Sequence, residues 1–496
     1  MERNSGILLH PTSLPDTPIC GTFGPSWREW LNDLAEYGIG VWQFLPLAPP
    51  DSLGSPYSSP SSFAFNPWFL DENDLVKDGF LPVNYESFSS KVQNFDNRVD
   101  FELANSKIKA LSSSLIEYWE KQNQSIKEEF EIWCEKQFWL EDHSIFMELK
   151  FQNENLPWWE WPEKFAVYDK KELVNWKVDN QKELLGHNLL QWHLDRQWKS
   201  IRELAKNLGI LLFGDVPFYV SKDSADVWSN RSLFSILNNS DTYLQSGVPP
   251  DYFSETGQLW GNPVYRWSRH KANKYRWWRK RISRHLEQAD FLRLDHFRAL
   301  EAFWAIPGQE KTAENGFWLP APGKEILGLI KKDCGGSLPL VAEDLGLITS
   351  KVEKLRDDFG LAGMKILQFA FDGNIDNPYL PENIKNENWI IYTGTHDNST
   401  SLGWWRDMDQ NRKEQIKERI LDYENFSSWE LIRIGMETKA KLFVAPIQDL
   451  LNLDDVSRLN KPGTIENNWS WRLTKNDFYL KEALKKYGNF SKRYQR

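Results

Sequence analysis

Cysteine is scarce in this 496-residue chain, which carries only Cys20, Cys134 and Cys334 and no CxxC pair. We therefore expect no disulfide framework and a reducing, cytoplasmic compartment. The eight histidines form no HExxH or other metal spacing, and the chain lacks GxGxxG and GxxxxGK[ST] loops. These absences argue against zinc chemistry and the common nucleotide sites, so the sequence predicts no metal and no cofactor.

Long apolar runs are also missing. The first residues, MERNSGILLHPTSLP, lack the apolar core of a signal peptide, and no apolar run approaches the length of a membrane span. The formal charge of −10 disfavours a nucleic-acid partner. One basic segment, residues 266–285, opposes that balance, and a solvated helix surface explains it better than nucleic-acid binding. We predict a cytoplasmic monomer or weak homo-oligomer without a membrane or nucleic-acid partner.

Aromatic residues are abundant, with 26 Trp, 29 Phe and 16 Tyr. Flat aromatic faces suit the apolar faces of sugar rings, and they also suit single-stranded bases. The composition alone leaves both ligand classes open.

Eight short apolar segments recur along the chain, and many of them end in a polar or charged cluster. The segments are residues 6–10, 40–47, 210–220, 291–297, 338–346, 364–371, 389–398 and 441–451. They mostly alternate with helical stretches and are apolar on both faces, as buried parallel strands are. The pattern predicts an α/β fold, a (β/α)₈ barrel, formed by residues 1–496 as a single elaborated domain.

The strands are unevenly spaced. The second and third are separated by far more chain than one crossover needs. We predict a mainly helical insertion over residues 70–208 and a second insertion, with a substrate loop, over residues 221–289.

Two helix starts carry apparent capping boxes. Ser26 with Glu29 predicts one, and Ser350 with Glu353 predicts the other. Gly38 should end the first of these helices, because glycine favours the position after a helix.

The segment FLRLDHF, residues 291–297, places two charges in an apolar strand. Arg293 and Asp295 lie two positions apart, so both point to the same face. Burying charge is costly unless it is paired or used. The pair is therefore a structural ion pair or half of an active site.

In a (β/α)₈ barrel the chemistry lies at the C-terminal ends of the strands. The polar residues predicted there are Asp215, Arg293, Asp295, Glu343, Asp344, His396 and Asp397. A single strand-end Asp is more often structural or a helix cap, but several on one rim beside an Arg and a His favour catalysis. Without metal spacings, paired carboxylates indicate glycoside chemistry, with one as nucleophile and one as acid/base.

Two loops carry aromatic and amide side chains. Residues 55–67 present Tyr57, and residues 247–265 carry Tyr252, Gln258 and Trp260. Each aromatic alone could equally anchor a long loop. Together, over an acidic rim, they predict a saccharide groove.

Ten sequence blocks resemble one enzyme family. The blocks are GILLHPTSLP, WQFLPLAPP, SPYSS, GDVPFYVSKDSADVW, PPDYFSETGQLWGNPVY, FLRLDHFRAL, AEDLG, GMKILQFAF, GTHDN and NNWSWR. They resemble the 4-α-glucanotransferases of glycoside hydrolase family 77, also called amylomaltases or disproportionating enzymes. The resemblance implies an α-amylase-like barrel without a separate C-terminal β-domain. It also implies a retaining reaction on α-1,4-glucans, with glucose or another glucan as acceptor.

The resemblance also implies residue roles. Asp295 matches the nucleophile, Glu343 the acid/base and Asp397 the transition-state stabiliser, and Arg293 would keep Asp295 ionised. The predicted substrate-binding residues are Tyr57, Asp215, Tyr252, Gln258, Trp260, Arg293, Asp344, His396 and Asn467. Two positions depart from the family pattern: Phe65 replaces an expected Gly, and Ser399 replaces an expected Asp.

Two other functions compete with transfer. An α-glucan hydrolase of the same clan would share the three carboxylates, so sequence separates it poorly. A noncatalytic glucan-binding protein would be expected to lack one of them, and all three are present.

Overall fold

The computed structural model describes residues 3–92, 97–250, 254–474 and 479–496. Its strands are β1 Asn4–Leu8, β2 Val41–Gln43, β3 Leu211–Val216, β4 Leu244–Val248, β5 Gln258–Pro263, β6 Phe291–Leu294, β7 Ala302–Pro307, β8 Phe317–Pro320, β9 Leu340–Ala342, β10 Gly363–Ile366, β11 Trp389–Tyr392 and β12 Leu442–Pro446. Eight of them form one parallel sheet in the order β10-β11-β12-β1-β2-β3-β6-β9. A parallel bridge between Val341 and Ala362 joins the two ends of that sheet. The predicted barrel is confirmed.

Each barrel strand lies within or at the edge of a predicted apolar segment, and all of them except β1 are shorter than their segments. The segment 389–398, for example, contains a strand only over Trp389–Tyr392. Its remaining residues turn out of the sheet at the mouth of the barrel. The polar clusters therefore belong to the loops that follow the strands, where barrel enzymes place their chemistry.

The helices are α1 Pro25–Tyr37, α2 Glu72–Lys77, α3 Phe101–Trp119, α4 Gln124–Lys136, α5 Leu140–Gln152, α6 Glu163–Ala166, α7 Lys170–Asp179, α8 Gln181–Asn207, α9 Ala225–Ser229, α10 Trp267–Ala272, α11 Arg276–Gln288, α12 Gly323–Asp333, α13 Ser350–Asp358, α14 Ser401–Asp407, α15 Gln410–Ile416, α16 Trp429–Glu437, α17 Ile447–Leu450 and α18 Leu480–Arg493. None of these helices is both long and apolar enough to cross a membrane.

Both predicted capping boxes are wrong. Helix α1 starts at Pro25, two residues before a helix capped by Ser26 would, and Gly24 is its N-cap. The backbone N–H of Ser26 instead donates to the Asp16 carboxylate at 2.7 Å. Helix α13 begins at Ser350, after Thr349, without a side-chain cap. Gly38 does end α1, in the left-handed conformation with φ 72°.

Helices α2 to α8 lie between β2 and β3 in the chain. The long helix α8 packs against α1, α3, α4 and α5. Trp119, Phe130 and Trp192 meet edge to face inside this region, with ring centroids 4.9–6.0 Å apart. Seven tryptophans of the chain are fully buried: Trp27, Trp42, Trp158, Trp192, Trp198, Trp228 and Trp278. Much of the aromatic excess therefore forms core rather than sugar-binding surface.

A second, four-stranded sheet in the order β5-β4-β7-β8 was not predicted from the sequence. Strand β4 pairs antiparallel with both β5 and β7, and β7 pairs with β8. The sheet joins chain segments from before and after β6. It carries Gln258 and Trp260 on its edge strand β5.

The basic segment 266–285 differs from a fully solvated surface. Exposed Lys271 and partly exposed Arg279 pair with Glu325 and Asp333, at 2.7 and 2.6 Å. Arg281 and Arg284, however, are buried on α11. Half of this segment therefore packs into the protein, and the prediction of a solvated helix holds for its outer face only.

Candidate active site

A continuous chain of polar contacts joins three barrel strands at the mouth. Arg293 on β6 donates from Nη1 to Asp215 Oδ2 and from Nη2 to Asp295 Oδ1, each at 2.6 Å. Tyr57 donates its hydroxyl to the same Asp215 oxygen at 2.8 Å. The register of β3 and β6 places Asp215 opposite Arg293. The structure therefore brings together four residues that the sequence predicts for the site.

The charges of this group hold one another in place. Burial would lower the pKa of Arg293, but Asp215 and Asp295 outweigh that effect and raise it well above its ordinary value. Burial raises the pKa of Asp295, and Arg293 opposes that rise. The Asp295 side chain keeps 30% of its surface exposed, whereas Asp215 is fully covered. Asp295 is thus the carboxylate of the pair that a substrate can reach.

Glu343 follows β9 and is held by backbone groups alone. Its Oε2 accepts the His296 N–H at 2.7 Å, and its Oε1 accepts the Leu345 N–H at 2.9 Å. His296 adopts the left-handed backbone conformation, with φ 50°, which aims its N–H at the carboxylate. The residue after Asp295 therefore positions Glu343.

Among the residues that the structure describes, no cation bonds directly to Glu343. Burial and the neighbouring charge of Asp295 raise the pKa of Glu343 to about 7. A carboxyl group with that pKa holds its proton near neutral pH and can donate it. Two carboxyl groups with different protonation states are what an acid/base and a nucleophile require.

Asp397 lies in the loop after β11. Asn460 donates from Nδ2 to Asp397 Oδ1 at 2.6 Å, and His396 Nε2 lies 3.2 Å from the same oxygen. Arg458 donates from Nη2 to the Asp397 carbonyl. The Asp397 side chain remains 43% exposed. It is a fixed carboxylate that faces open space.

Three aromatic rings cluster beside this group, two of them stacked and the third tilted. Tyr57 and His396 are parallel, with ring centroids 5.2 Å apart, and Trp469 lies within 5.8 Å of both. Asn467, two residues before Trp469, is exposed in the same loop. These rings form one flank of the mouth.

Trp260 forms another flank. Its ring meets the His296 imidazole edge to face at 4.7 Å, and its Nε1 donates to Gln258 Oε1 at 3.2 Å. The Trp260 side chain is 37% exposed. Because His296 also holds Glu343, this aromatic wall is joined to the acid/base carboxyl. Tyr252, predicted for the same loop, lies outside the described residues.

Asp344 does not face the mouth. Its Oδ2 accepts from Arg356 at 2.5 Å, and its Oδ1 accepts the Met364 N–H of β10 at 2.8 Å. Its side chain is 3% exposed. Both oxygens are engaged with protein, so these contacts favour a structural role over the predicted substrate contact.

Asn460, Arg458, Trp469 and His296 were not predicted as site residues. His296 and Trp469 lie inside the recognised blocks FLRLDHFRAL and NNWSWR, which offered the only sequence signal for them. Asn460 and Arg458 contact the 396–399 segment across a long stretch of chain, and such a contact leaves no local pattern.

Among the described residues, no group of three or more His, Cys, Asp or Glu side chains could hold a metal ion. The two oxygens of Glu343 and the inner oxygens of Asp215 and Asp295 already accept hydrogen bonds from protein groups. The arrangement suits proton transfer and nucleophilic attack by the carboxylates themselves.

Known proteins resemble this chain over nearly its whole length. A family model described as 4-alpha-glucanotransferase matches residues 9–477. A 4-alpha-glucanotransferase of Synechocystis is 42% identical, covering 95% of this chain and 94% of the relative, and one of Thermus thermophilus is 40% identical, covering 95% of each. The solved structure of an amylomaltase from Streptococcus agalactiae in complex with acarbose superposes with a TM-score of 0.93 at 32% identity, covering 100% of both chains.

Proposed function

The chain belongs to the 4-alpha-glucanotransferase family, and we propose that Asp295, Glu343 and Asp397 carry out the activity that it shares with that family. The protein is an enzyme, a 4-α-glucanotransferase, and its substrates are α-glucans. The observation that carries the proposed roles is the contrast between Asp295, paired with Arg293, and Glu343, which has a pKa of about 7.

In the first step Asp295 attacks the anomeric carbon of an α-1,4-glucan. A bond forms between the Asp295 oxygen and that carbon while the bond to the departing 4-oxygen breaks. Glu343 gives its proton to that oxygen, and the remaining segment stays on the enzyme as a β-linked ester. Arg293 supports the step because it favours the ionised form of Asp295.

In the second step the 4-hydroxyl of glucose or another glucan replaces the departed segment. Glu343, now deprotonated, takes the proton of that hydroxyl, whose oxygen attacks the anomeric carbon and releases Asp295. Two inversions restore the α-configuration. Asp397 faces the ring in both steps and stabilises its oxocarbenium-like charge.

The aromatic flanks suit the two sugars. Tyr57, His396 and Trp469 lie beside Asp397 and Asp295, so we assign them, with Asn467, to the donor side. Trp260 and Gln258 lie beside His296 and Glu343, so we assign them to the acceptor side. Tyr252 remains a predicted acceptor contact. Asp215 acts through Arg293 rather than on the sugar, since its side chain is covered.

Hydrolysis is the competing outcome of the second step. Water at about 55 M competes with millimolar sugar, so transfer needs an acceptor favoured by several orders of magnitude, about 5–6 kcal/mol for a ten-thousandfold preference. One stacked ring is worth about 1–3 kcal/mol on flat rings such as bases. Alignment of the acceptor 4-hydroxyl with Glu343 and exclusion of water must supply the rest.

The test is incubation of the pure protein with maltotriose, without added metal or nucleotide. We expect glucose and a ladder of longer maltodextrins, with total reducing ends unchanged. Shorter products alone, with reducing ends rising in proportion, would assign hydrolysis instead.

Two further properties remain predictions. We expect the enzyme to act in the cytoplasm on maltodextrins, amylose, or glycogen and starch chains. We also expect a monomer or weak homo-oligomer, which sedimentation would establish.

A further inference from the structure

We propose that Asn460 is a positioning residue for Asp397, and that Arg458 fixes Asn460 in the position this requires. The inference rests on the proposed role of Asp397. It concerns residues 458–460, which follow β12 in the chain and form hydrogen bonds with the loop after β11.

Asn460 holds both the side chain and the backbone of the loop. Its Nδ2 donates to Asp397 Oδ1 at 2.6 Å, and its backbone N–H donates to the His396 carbonyl at 3.2 Å. His396 Nε2 also lies 3.2 Å from Asp397 Oδ1. Asp397 is 43% exposed, so packing alone does not fix its rotamer.

Arg458 forms hydrogen bonds both with its own segment, residues 458–460, and with the loop after β11. It donates from Nη2 to the Asp397 carbonyl, from Nη1 to Ser399 Oγ at 3.1 Å and from Nε to the Asn460 carbonyl at 2.8 Å. Its side chain is 17% exposed. A planar guanidinium with three such bonds fixes the relative position of the loops more firmly than a flexible ammonium would.

The chemistry explains why the donor is an amide. A neutral donor favours the charged form of the carboxylate it bonds, and it fixes one oxygen while the other stays free to face the sugar. A charge-stabilising group must be held in place before the reaction, because a displacement of about 1 Å can cost on the order of 100-fold in rate.

Ser399 fits the same arrangement. It stands where the family resemblance leads us to expect Asp, and here its hydroxyl oxygen accepts from Arg458. Because Ser399 is neutral, this contact adds no further negative charge beside Asp397.

The first experiment compares Asn460→Ala, Arg458→Lys and Ser399→Ala on maltotriose. For Asn460→Ala we expect kcat to fall about 10–100-fold while KM changes less than about threefold. The losses should decrease in the order Asn460→Ala, Arg458→Lys, Ser399→Ala. The control is Asn489→Ala, at an exposed position on α18, which should match the wild type. An unchanged kcat with a raised KM would make Asn460 a sugar contact and overturn the inference.

The second experiment uses Asn460→Asp, which keeps the shape of the side chain and so tests the inference even if the alanine variant folds poorly. The substituted carboxylate replaces the Nδ2 donor with a negative charge that repels Asp397, so the acid limb of the kcat/KM profile should move up by about one pH unit or more. Asn489→Asp should leave the limb in place. A lowered rate without that displacement would indicate a merely structural contact.

The third experiment separates this inference from the proposed function. In the Asp397→Asn background, with an activated glycosyl fluoride donor, adding Asn460→Ala should cost less than about threefold, because the group it positions is already lost. A full further loss would overturn the inference. If Asp397→Asn itself retained wild-type kcat on maltotriose, the assigned role of Asp397 would fail instead.

Discussion

Asp295 and Glu343 follow neighbouring barrel strands, yet their surroundings differ in kind. Asp295 is bound by the guanidinium of Arg293, which is itself shared with Asp215. Glu343 is bound by two backbone N–H groups. Arg293 opposes the effect of burial on both carboxyl groups, but it bonds directly only to Asp295 of the two. Arg293 therefore limits the rise in the pKa of Asp295, whereas Glu343 keeps its proton up to a pH of about 7.

This difference shows how two neighbouring carboxyl groups at the mouth of the barrel can serve as an acid and as a nucleophile. Since the two groups repel each other when both are ionised, the proton remains with the group that lacks a cation. The predictions below remove or change one side of the comparison at a time.

The largest effect is expected when either carboxyl group is replaced by the corresponding amide. Asp295→Asn should lower transfer by on the order of 10⁴-fold or more with the fold intact, since the attacking oxygen is lost.

Glu343→Gln should accumulate the glycosyl-enzyme from a glycosyl fluoride, because departing fluoride needs little acid help. Mass spectrometry of the intact protein measures that species. Wild-type turnover by either variant would remove that residue from the mechanism.

Removal of the shared cation should have the next largest effect. Arg293→Met leaves Asp215 and Asp295 facing each other without compensation, so we expect a loss of about 3–5 kcal/mol in the free energy of unfolding. The acid limb of the pH profile should move upward, because the pKa of Asp295 rises. Denaturant titration and kcat/KM against pH check the two effects. Asp215→Asn in the same background is the matched control and should recover part of the lost stability.

A smaller effect is expected on the alkaline side of the pH profile. Glu343 must be protonated for the first step, and burial raises its pKa to about 7, so kcat/KM on maltotriose should fall about tenfold per pH unit above that value. With a glycosyl fluoride as donor, the rate at which the glycosyl-enzyme forms should depend much less on pH in this range, because departing fluoride needs little help from an acid. An equally steep limb with both donors would assign it to another group.

The smallest effect concerns the acceptor wall beside Glu343. Trp260→Ala should raise the ratio of hydrolysis to transfer by about 5–150-fold, because a stacked ring worth about 1–3 kcal/mol is lost. Glucose and new reducing ends, counted separately, give the ratio. Trp318→Ala is the control, since Trp318 is 39% exposed against 37% for Trp260 but lies on β8. A parallel fall of both activities would place Trp260 on the donor side or in the fold.

The barrel could be predicted because its signal is local. Buried parallel strands must be apolar on both faces, and eight such segments stand out in the sequence. The strand-end carboxylates followed from the same pattern, and the family blocks supplied their roles. The distance of about 5–5.5 Å between the carboxyl groups of Asp295 and Glu343, which a retaining reaction requires, stays a prediction.

Features that depend on the path of the loops could not be predicted. The second sheet pairs β4 with β7 across the whole of β6, and neither strand has a clear alternating pattern. The contact of Asn460 with Asp397 joins residues 63 positions apart. The capping boxes failed for the opposite reason: their pattern is local, but Pro25 and Thr349 shifted where each helix begins.

The join between β9 and β10 has a consequence for how the barrel opens. Every other pair of neighbouring barrel strands shares at least three residue pairs, whereas β9 and β10 share one bridge and the carboxylate of Asp344 that accepts the Met364 N–H. Local unfolding begins most readily where two strands share few backbone hydrogen bonds, as β9 and β10 do. Opening there would release the strand that carries Glu343 before the strand that carries Asp295. The strands of the two carboxyl groups thus differ in how many backbone hydrogen bonds hold them, and Asp344 adds one side-chain contact across the weaker seam.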